Sequence, residues 1–254
     1  MQQPAPPDSL ALPSFGDRIR VALIGASGGI GSALADSLES CSSVSRVIRL
    51  SRKPDSLSDD RLALDLEDEA SIAAAAKAIK STVGDLHLVI VASGLLHRGE
   101  GLQPEKTWRN LSAAPLEAAF RINTIGPALV AKHFLPLLAR ERKTAFAALS
   151  ARVGSITDNE LGGWYAYRAS KAALNMLIKT LAIELARRNP DAVCVGLHPG
   201  TVDSALSKPF QRGVPAKQLF SPQRSARHLL QVLDGLQPDD SGGLFAWDGQ
   251  RIPF

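Results

Sequence analysis

Short apolar runs alternate with longer stretches of helical period from Arg20 almost to the end of the chain, and no other feature restricts the fold as much. The runs are RVALIG from Arg20, RVIRL from Arg46, RLALDL from Arg61, LHLVIVAS from Leu86, TAFAALS from Thr144, AVCVGL from Ala192 and GGLFAW from Gly242. Between most of them, apolar residues recur at helical spacing near 29–40, 68–82, 115–139, 165–188 and 222–235. Runs this apolar leave no face for water, so each strand must be covered on both sides. A helix between successive strands supplies that cover and makes the strands parallel. The pattern predicts an α/β fold: a doubly wound parallel sheet of about seven strands with helices on both faces.

Composition narrows the setting. With 45% hydrophobic and 21% charged residues, 254 residues are enough to bury a core without staples, so residues 18–254 are expected to form one domain. Residues 1–17, with Pro4, Pro6, Pro7 and Pro13 and no apolar period, read as a flexible leader or surface arm. Cys41 and Cys194 are too few for a disulfide framework or zinc site. His87, His97, His133, His198 and His228 lack ligand spacing, so no metal is expected, and the setting is taken as reducing and cytoplasmic. No apolar run approaches the roughly 20 residues of a membrane helix, and the first residues lack a secretory pattern. The net charge of +4 is scattered and aromatics make up 5%, so neither nucleic acid nor membrane is an expected partner.

The first apolar run enters Gly25-Ala26-Ser27-Gly28-Gly29-Ile30-Gly31 as a helical pattern begins. Gly25 permits a tight turn, Gly29 removes a side chain where backbone must approach a pyrophosphate, and Gly31 lets helix and strand pack closely. Ser27 and Ile30 share the turn, and the helix start offers free N–H groups to an anion. A dinucleotide site on a Rossmann-type sheet is expected, a structural glycine turn being the alternative. Sheets that take the unphosphorylated cofactor carry an acidic residue about 20 positions on, where it accepts from the ribose 2′-OH. Here the second strand ends in Ser51-Arg52-Lys53. A carboxylate would repel a 2′-phosphate, whereas Arg52 can hold one with forked hydrogen bonds and Lys53 adds a point charge. NADP(H) is therefore expected over NAD(H), unless these two are only solvated charges past a strand end.

Tyr167 and Lys171 stand four apart in a helical pattern, so their side chains share a face. Reducing a carbonyl by hydride needs a proton for the developing alkoxide; a free tyrosine, with pKa about 10, becomes more useful when a nearby ammonium favours the phenolate. Asn123, in RINTIGP, is a polar residue inside an apolar helical pattern.

Taken together, the glycine turn, Asp65-Leu66, Asn123, Tyr167-Arg-Ala-Ser-Lys171 and Pro199-Gly200-Thr-Val202-Asp-Ser204 resemble the short-chain dehydrogenase/reductase family in order and spacing. The wording LSARVGSITDN…GGWYAYRASKAALNM looks most like single-domain members that include carbonyl reductases and a bacterial developmental factor. The resemblance implies that Tyr167 is the acid/base and that Lys171 acts on it and on the nicotinamide ribose. Asn123 would bind a water continuing a proton relay; alternatively it satisfies backbone groups at a kink near Gly126-Pro127. Asp65 would meet the adenine beside Leu66, or cap the helix that follows. Pro199, Gly200, Val202 and Ser204 would hold the carboxamide and phosphates.

Two departures stand out. The family's Asn-Asn-Ala-Gly stretch reads Val91-Ala92-Ser93-Gly94, keeping a small polar side chain at Ser93 and room for cofactor at Gly94. The substrate-orienting serine is replaced by Ala151, with Ser150 expected on the opposite face of the strand and Ser155 the better substitute. A small carbonyl or alcohol would lie near Trp164, Tyr165, Ser155 and an irregular segment from Ala205 to Phe220. The expectation is an NADP(H)-dependent oxidoreductase, with a cofactor-binding regulatory protein of the same fold as the alternative. The resemblance further implies a homodimer or homotetramer through the helical regions 115–139 and 165–188.

Overall fold

The computed structural model describes residues 10–99, 102–212 and 215–254. Its elements run β1 (Ile19–Ile24), α1 (Gly29–Glu39), β2 (Val44–Ser51), β3 (Arg61–Ala63), α2 (Glu69–Thr82), β4 (Leu88–Val91) and α3 (Ala113–Phe120). They continue through α4 (Gly126–Phe134), β5 (Thr144–Leu149), α5 (Tyr165–Ala186), β6 (Ala192–His198), β7 (Thr201–Val202), β8 (Leu219–Phe220), α6 (Pro222–Gly235), β9 (Leu244–Ala246) and β10 (Arg251–Ile252). Eight strands form one sheet in the order β10-β9-β6-β5-β4-β1-β2-β3, parallel except for the β9/β10 pair. The expected sheet gains one edge strand, β10, and β7 and β8 pair separately. These three are two residues long, too short to leave a periodic signal.

Alternating side chains build two apolar layers. Ala22, Ile24, Val89, Val91, Phe146 and Ala148 face one layer, with Ile72 of α2, Phe134 of α4 and Ile178 of α5. Val21, Leu23, Leu88, Ile90, Ala145 and Ala147 face the other, with Leu34 of α1 and Leu229 of α6. Burial on both faces is why these strands read as continuous apolar runs.

Part of the segment expected as a leader, 1–17, packs against the domain. Residues 1–9 lie outside the described residues, whereas Leu12 and Phe15 are buried in the layer formed by α1 and α6. Ser14 donates to Asp234 at the end of α6, and Lys143 reaches both Ser14 and the carbonyls of Leu233 and Asp234. Two apolar anchors separated by a proline turn give no helical or strand period, so composition alone misread them.

The helical pattern near 115–139 divides into α3, a π turn over Arg121–Ile125, and α4. Pro127 has no N–H, which denies the Asn123 carbonyl its ordinary α-helical partner and widens the turn. From β1 the chain winds outward to β2 and β3, then returns to β4 on the other side of β1. Beyond the carboxyl ends of β1 and β4 this reversal leaves a crevice, the usual ligand position in such sheets.

Candidate active site

A cleft of about 470 Å³ lies at that reversal, within the range of small-ligand and cofactor sites. It gathers most of the residues expected to hold a cofactor: Gly25, Ser27, Gly29, Ile30, Ser51, Arg52, Asp65, Leu66, Ser93, Gly94, Tyr167, Lys171, Pro199 and Ser204. Gly25 has φ +84°, and a Cβ there would lie 2.4 Å from Ser93 Oγ. Gly31 sits beneath the turn, where a Cβ would come within 2.1 Å of the Gly25 carbonyl oxygen. No side chain caps α1, whose N-cap is Gly28, so the first N–H groups of the helix are open to an anion. An uncapped helix start, a glycine corner and an arginine at the next strand end fit a dinucleotide.

Four cofactor expectations fall outside the lining. Gly31 packs the helix against the strand, and Lys53 lies in an exposed turn after β2. Gly200 has φ +76° against the Phe220 ring, and Val202 is buried in the β7/β8 pair. Asp65 lines the cleft and accepts the Glu67 N–H, while the cap of α2 is Asp68, which accepts the Ala70 N–H.

At the other end of the cleft, Tyr167 and Lys171 share one face of α5, with Lys171 Nζ 5.8 Å from the tyrosine ring centre. Lys171 is 2% exposed and donates to the Leu149 carbonyl at 2.7 Å. Burial pulls this ammonium down to about 7 and pushes the Tyr167 phenol up to about 12. The sequence expectation was a phenol drawn downward by the ammonium. Desolvation is the cause at both groups. Tyr167 therefore holds its proton at neutral pH, the state required of a donor.

Asn123 is fully buried: its Oδ1 accepts the Leu95 N–H at 2.7 Å, and its Nδ2 donates to the Leu95 carbonyl at 2.8 Å and to Ser170 Oγ at 3.0 Å. It thus ties the π turn to α5 and to the segment after β4. Ser150 lines the cleft, but its hydroxyl donates to Asn175 Oδ1 at 2.7 Å. Ser155 is 2% exposed, accepts the Asp158 N–H at 3.0 Å, and borders the cleft no more than Ala151 does.

Sequence reasoning missed His97 and Arg98, which line the cleft from an irregular segment, whereas Ala205 and Leu206 belong to the segment expected beside the site. It also missed Glu105. Gly162, Gly163 and Trp164 adopt three successive left-handed conformations, with φ of +62°, +66° and +51°. For the glycines this is easy; for a bulky residue it costs about 1–3 kcal/mol. The surroundings enforce it. The Trp164 N–H donates to the Glu105 carbonyl at 2.6 Å, a Glu105 carboxylate oxygen accepts the Ala166 N–H at 3.2 Å, and Arg168 donates to the carbonyls of Gly162, Gly163 and Val153. The Gly-Gly pair before the helix was the available signal.

A glycine-cornered cleft at the reversal of a parallel sheet, lined also by a tyrosine and a lysine, fits an α/β protein of the dinucleotide-binding class. Residues 20–214 match the short chain dehydrogenase family, and the chain belongs to it. The C-signal protein of Myxococcus xanthus is 38% identical over 141 residues, covering 56% of this chain and 80% of its own length. An uncharacterized oxidoreductase of Schizosaccharomyces pombe is 28% identical over 255 residues, covering 91% of this chain and 96% of its own. The NADPH-bound carbonyl reductase from chicken fatty liver superposes with a TM-score of 0.80 at 27% identity, covering 94% of this chain and 99% of that one. The chain is an oxidoreductase of the short-chain type. Among the described residues no helix is long and apolar enough to cross a membrane.

Proposed function

We propose that this protein transfers hydride between NADP(H) and a small carbonyl or alcohol, with Tyr167 as acid/base and Lys171 assisting it. The observation that carries the reading is the pairing at the two ends of one cleft: Arg52 beside Ser51 at one, and Tyr167 with Lys171 at the other. The bound dinucleotide would supply the hydride. Arg52 would read its 2′-phosphate, the open N–H groups of α1 together with Ser204 its pyrophosphate, and Pro199 its nicotinamide end. Tyr167 would donate to the developing alkoxide, and Asn123 would hold the floor of the site by fixing Leu95.

A second reading, a cofactor-binding regulatory protein with little turnover, is favoured by the similarity to C-signal and by alanine at position 151. The intact Tyr167, Lys171 and Asn123 support the enzyme instead. Exposed Ile125, Met176 and Ile183 on and beside α4 and α5 support a homodimer or homotetramer through these helices, and two buried, unpaired cysteines suit a reducing cytoplasm.

Arg52 tests the cofactor assignment. Hydrogen bonds to charged groups contribute about 1.5–3 kcal/mol, so Arg52→Asp is expected to weaken NADPH binding by roughly one to two orders of magnitude and move preference toward NADH. Titration of both cofactors into both proteins at fixed ionic strength reads this directly. Equal losses for the two cofactors, or wild-type preference for NADH, contradict the assignment.

A further inference from the structure

We propose that Trp164, held in its left-handed turn by Glu105, is a specificity-determining residue, and that it forms with Phe210 and His97 an aromatic arch seating a flat, uncharged aryl group of the substrate beside Tyr167. The inference rests on the oxidoreductase reading above and adds a substrate class to it.

Four rings make an unbroken run from Tyr167 to His97, both in the cleft lining, by way of Trp164 and Phe210, which lie outside that lining. Tyr167 meets Trp164 at 6.3 Å, Trp164 meets Phe210 at 5.1 Å, and Phe210 meets His97 at 5.7 Å. His97 and Tyr167 both line the cleft, so the run begins and ends on it. Each contact is edge-to-face, at interplanar angles of 62° to 71°, a packing that leaves ring faces available to a further ring. Trp164 and Phe210 are half-buried.

The turn that presents Trp164 is over-determined. A left-handed tryptophan is maintained only where neighbours enforce it, and such residues cluster at functional sites. Glu105, 5% exposed, receives the Trp164 N–H on its backbone carbonyl and the Ala166 N–H on one carboxylate oxygen; its other oxygen is buried without a partner. A carboxylate sequestered at the start of α5 is favourable to the helix and fixes the residues on either side of Tyr165.

Orientation of the substrate needs such a wall. Ser150 has given its hydroxyl to Asn175, position 151 is alanine, and Ser155 is outside the cleft lining. With none of these three positions offering a hydroxyl to fix the carbonyl oxygen, contacts with the rest of the molecule must align it. Around the arch, Arg98 faces Glu67 at 4.0 Å, Arg152 pairs with Asp158 at 3.0 Å, and Arg168 holds backbone carbonyls. Lys208, on the turn that carries Phe210, is exposed. The three engaged arginines favour a neutral occupant over an anion; the exposed Lys208 does not add to that preference.

The discriminating pair is benzaldehyde and cyclohexanecarboxaldehyde, equal in carbon number but flat and puckered respectively. Wild-type protein with NADPH is expected to favour benzaldehyde at least tenfold in kcat/KM. Trp164→Leu and Phe210→Leu are expected to lower activity on both and collapse the ratio toward one, mainly through KM; Trp164→Phe retains the preference. Glu105→Ala follows Trp164→Leu, while Glu105→Gln, which keeps an acceptor for Ala166, follows the wild type. Phe210→Leu sits on a loop and serves where a turn variant does not fold. Titration with the unreactive pair benzamide and cyclohexanecarboxamide, followed calorimetrically with NADPH present, gives the same comparison without turnover. Trp164-dependent benzamide preference without any carbonyl reduction would sink the oxidoreductase reading and leave the arch standing. A wild-type ratio near one in both assays, or equal losses for both compounds on Trp164→Leu, overturns the arch.

Discussion

Ala151 and Ser155 are the residues at which chemistry and sequence resemblance separate. A serine at 155 reads as a replacement for the hydroxyl lost at 151, yet its oxygen accepts the Asp158 N–H and does not border the cleft. Ser155→Ala is therefore expected to lower stability by about 1 kcal/mol, the usual contribution of one hydrogen bond, with kcat/KM close to wild type. Ala151→Ser is expected to raise kcat/KM for small ketones by adding an orienting hydroxyl. Steady-state kinetics beside urea denaturation separate the two effects; a large catalytic loss in a stable Ser155→Ala would restore that residue to the site. The glycine corner, Arg52, Tyr167 and Lys171 were legible because each is tied to a fixed offset from a strand end or to helical spacing. Glu105 and His97 were not, since each reaches the site from an irregular segment where spacing carries no geometry.

At the scale of elements, the start of α1 depends on backbone meeting backbone. A methyl at Gly31 would meet the Gly25 carbonyl oxygen at 2.1 Å, and neither partner is a flexible side chain. A methyl at Gly29 would meet only Ser204 Cβ, at an ordinary 3.4 Å. Gly31→Ala is expected to cost about 1–3 kcal/mol or more and to abolish dinucleotide binding, while Gly29→Ala stays near wild-type stability. Comparable urea midpoints for the two variants would contradict this packing. The long helical pattern near 115–139 shows the limit of periodicity: its apolar spacing survives the π turn, so the break is visible only through Pro127 and the polar Asn123. Likewise β7, β8 and β10 are short pairings set by neighbouring strands, which no local pattern records.

For the whole molecule, His87 and His198, the two histidines pulled down furthest, couple stability to pH. Burial, reinforced by Arg142 and Arg20, pulls His87 down to about 4; burial, reinforced by Arg152, does the same to His198, against an opposing pull from Asp248. The unfolded chain binds these protons near 6.5, so between pH 6.5 and 4 it holds more protons than the folded state. Stability is expected to fall as pH drops through that window. Urea midpoints from pH 7 to 4.5 check the sign, and His87→Asn should flatten the slope; an unchanged slope in a variant lacking both imidazoles assigns the effect elsewhere. The doubly wound plan itself was legible because burial on both faces leaves an unmistakable pattern, whereas the burial of Leu12 and Phe15 depends on α1 and α6 meeting far along the chain.

Proton donation by Tyr167 is the central claim, and one measurement bears on it most directly: NADPH oxidation over a panel of aldehydes, ketones and quinones, in wild type and Tyr167→Phe, with the NADPH dissociation constant determined for both. Wild type is expected to turn over at least part of the panel, and Tyr167→Phe to lose that turnover while binding NADPH within a few-fold, because the ring stays and only the proton donor goes. Near-wild-type turnover in Tyr167→Phe, or tight NADPH binding by the wild type with no turnover across the panel, would contradict the account.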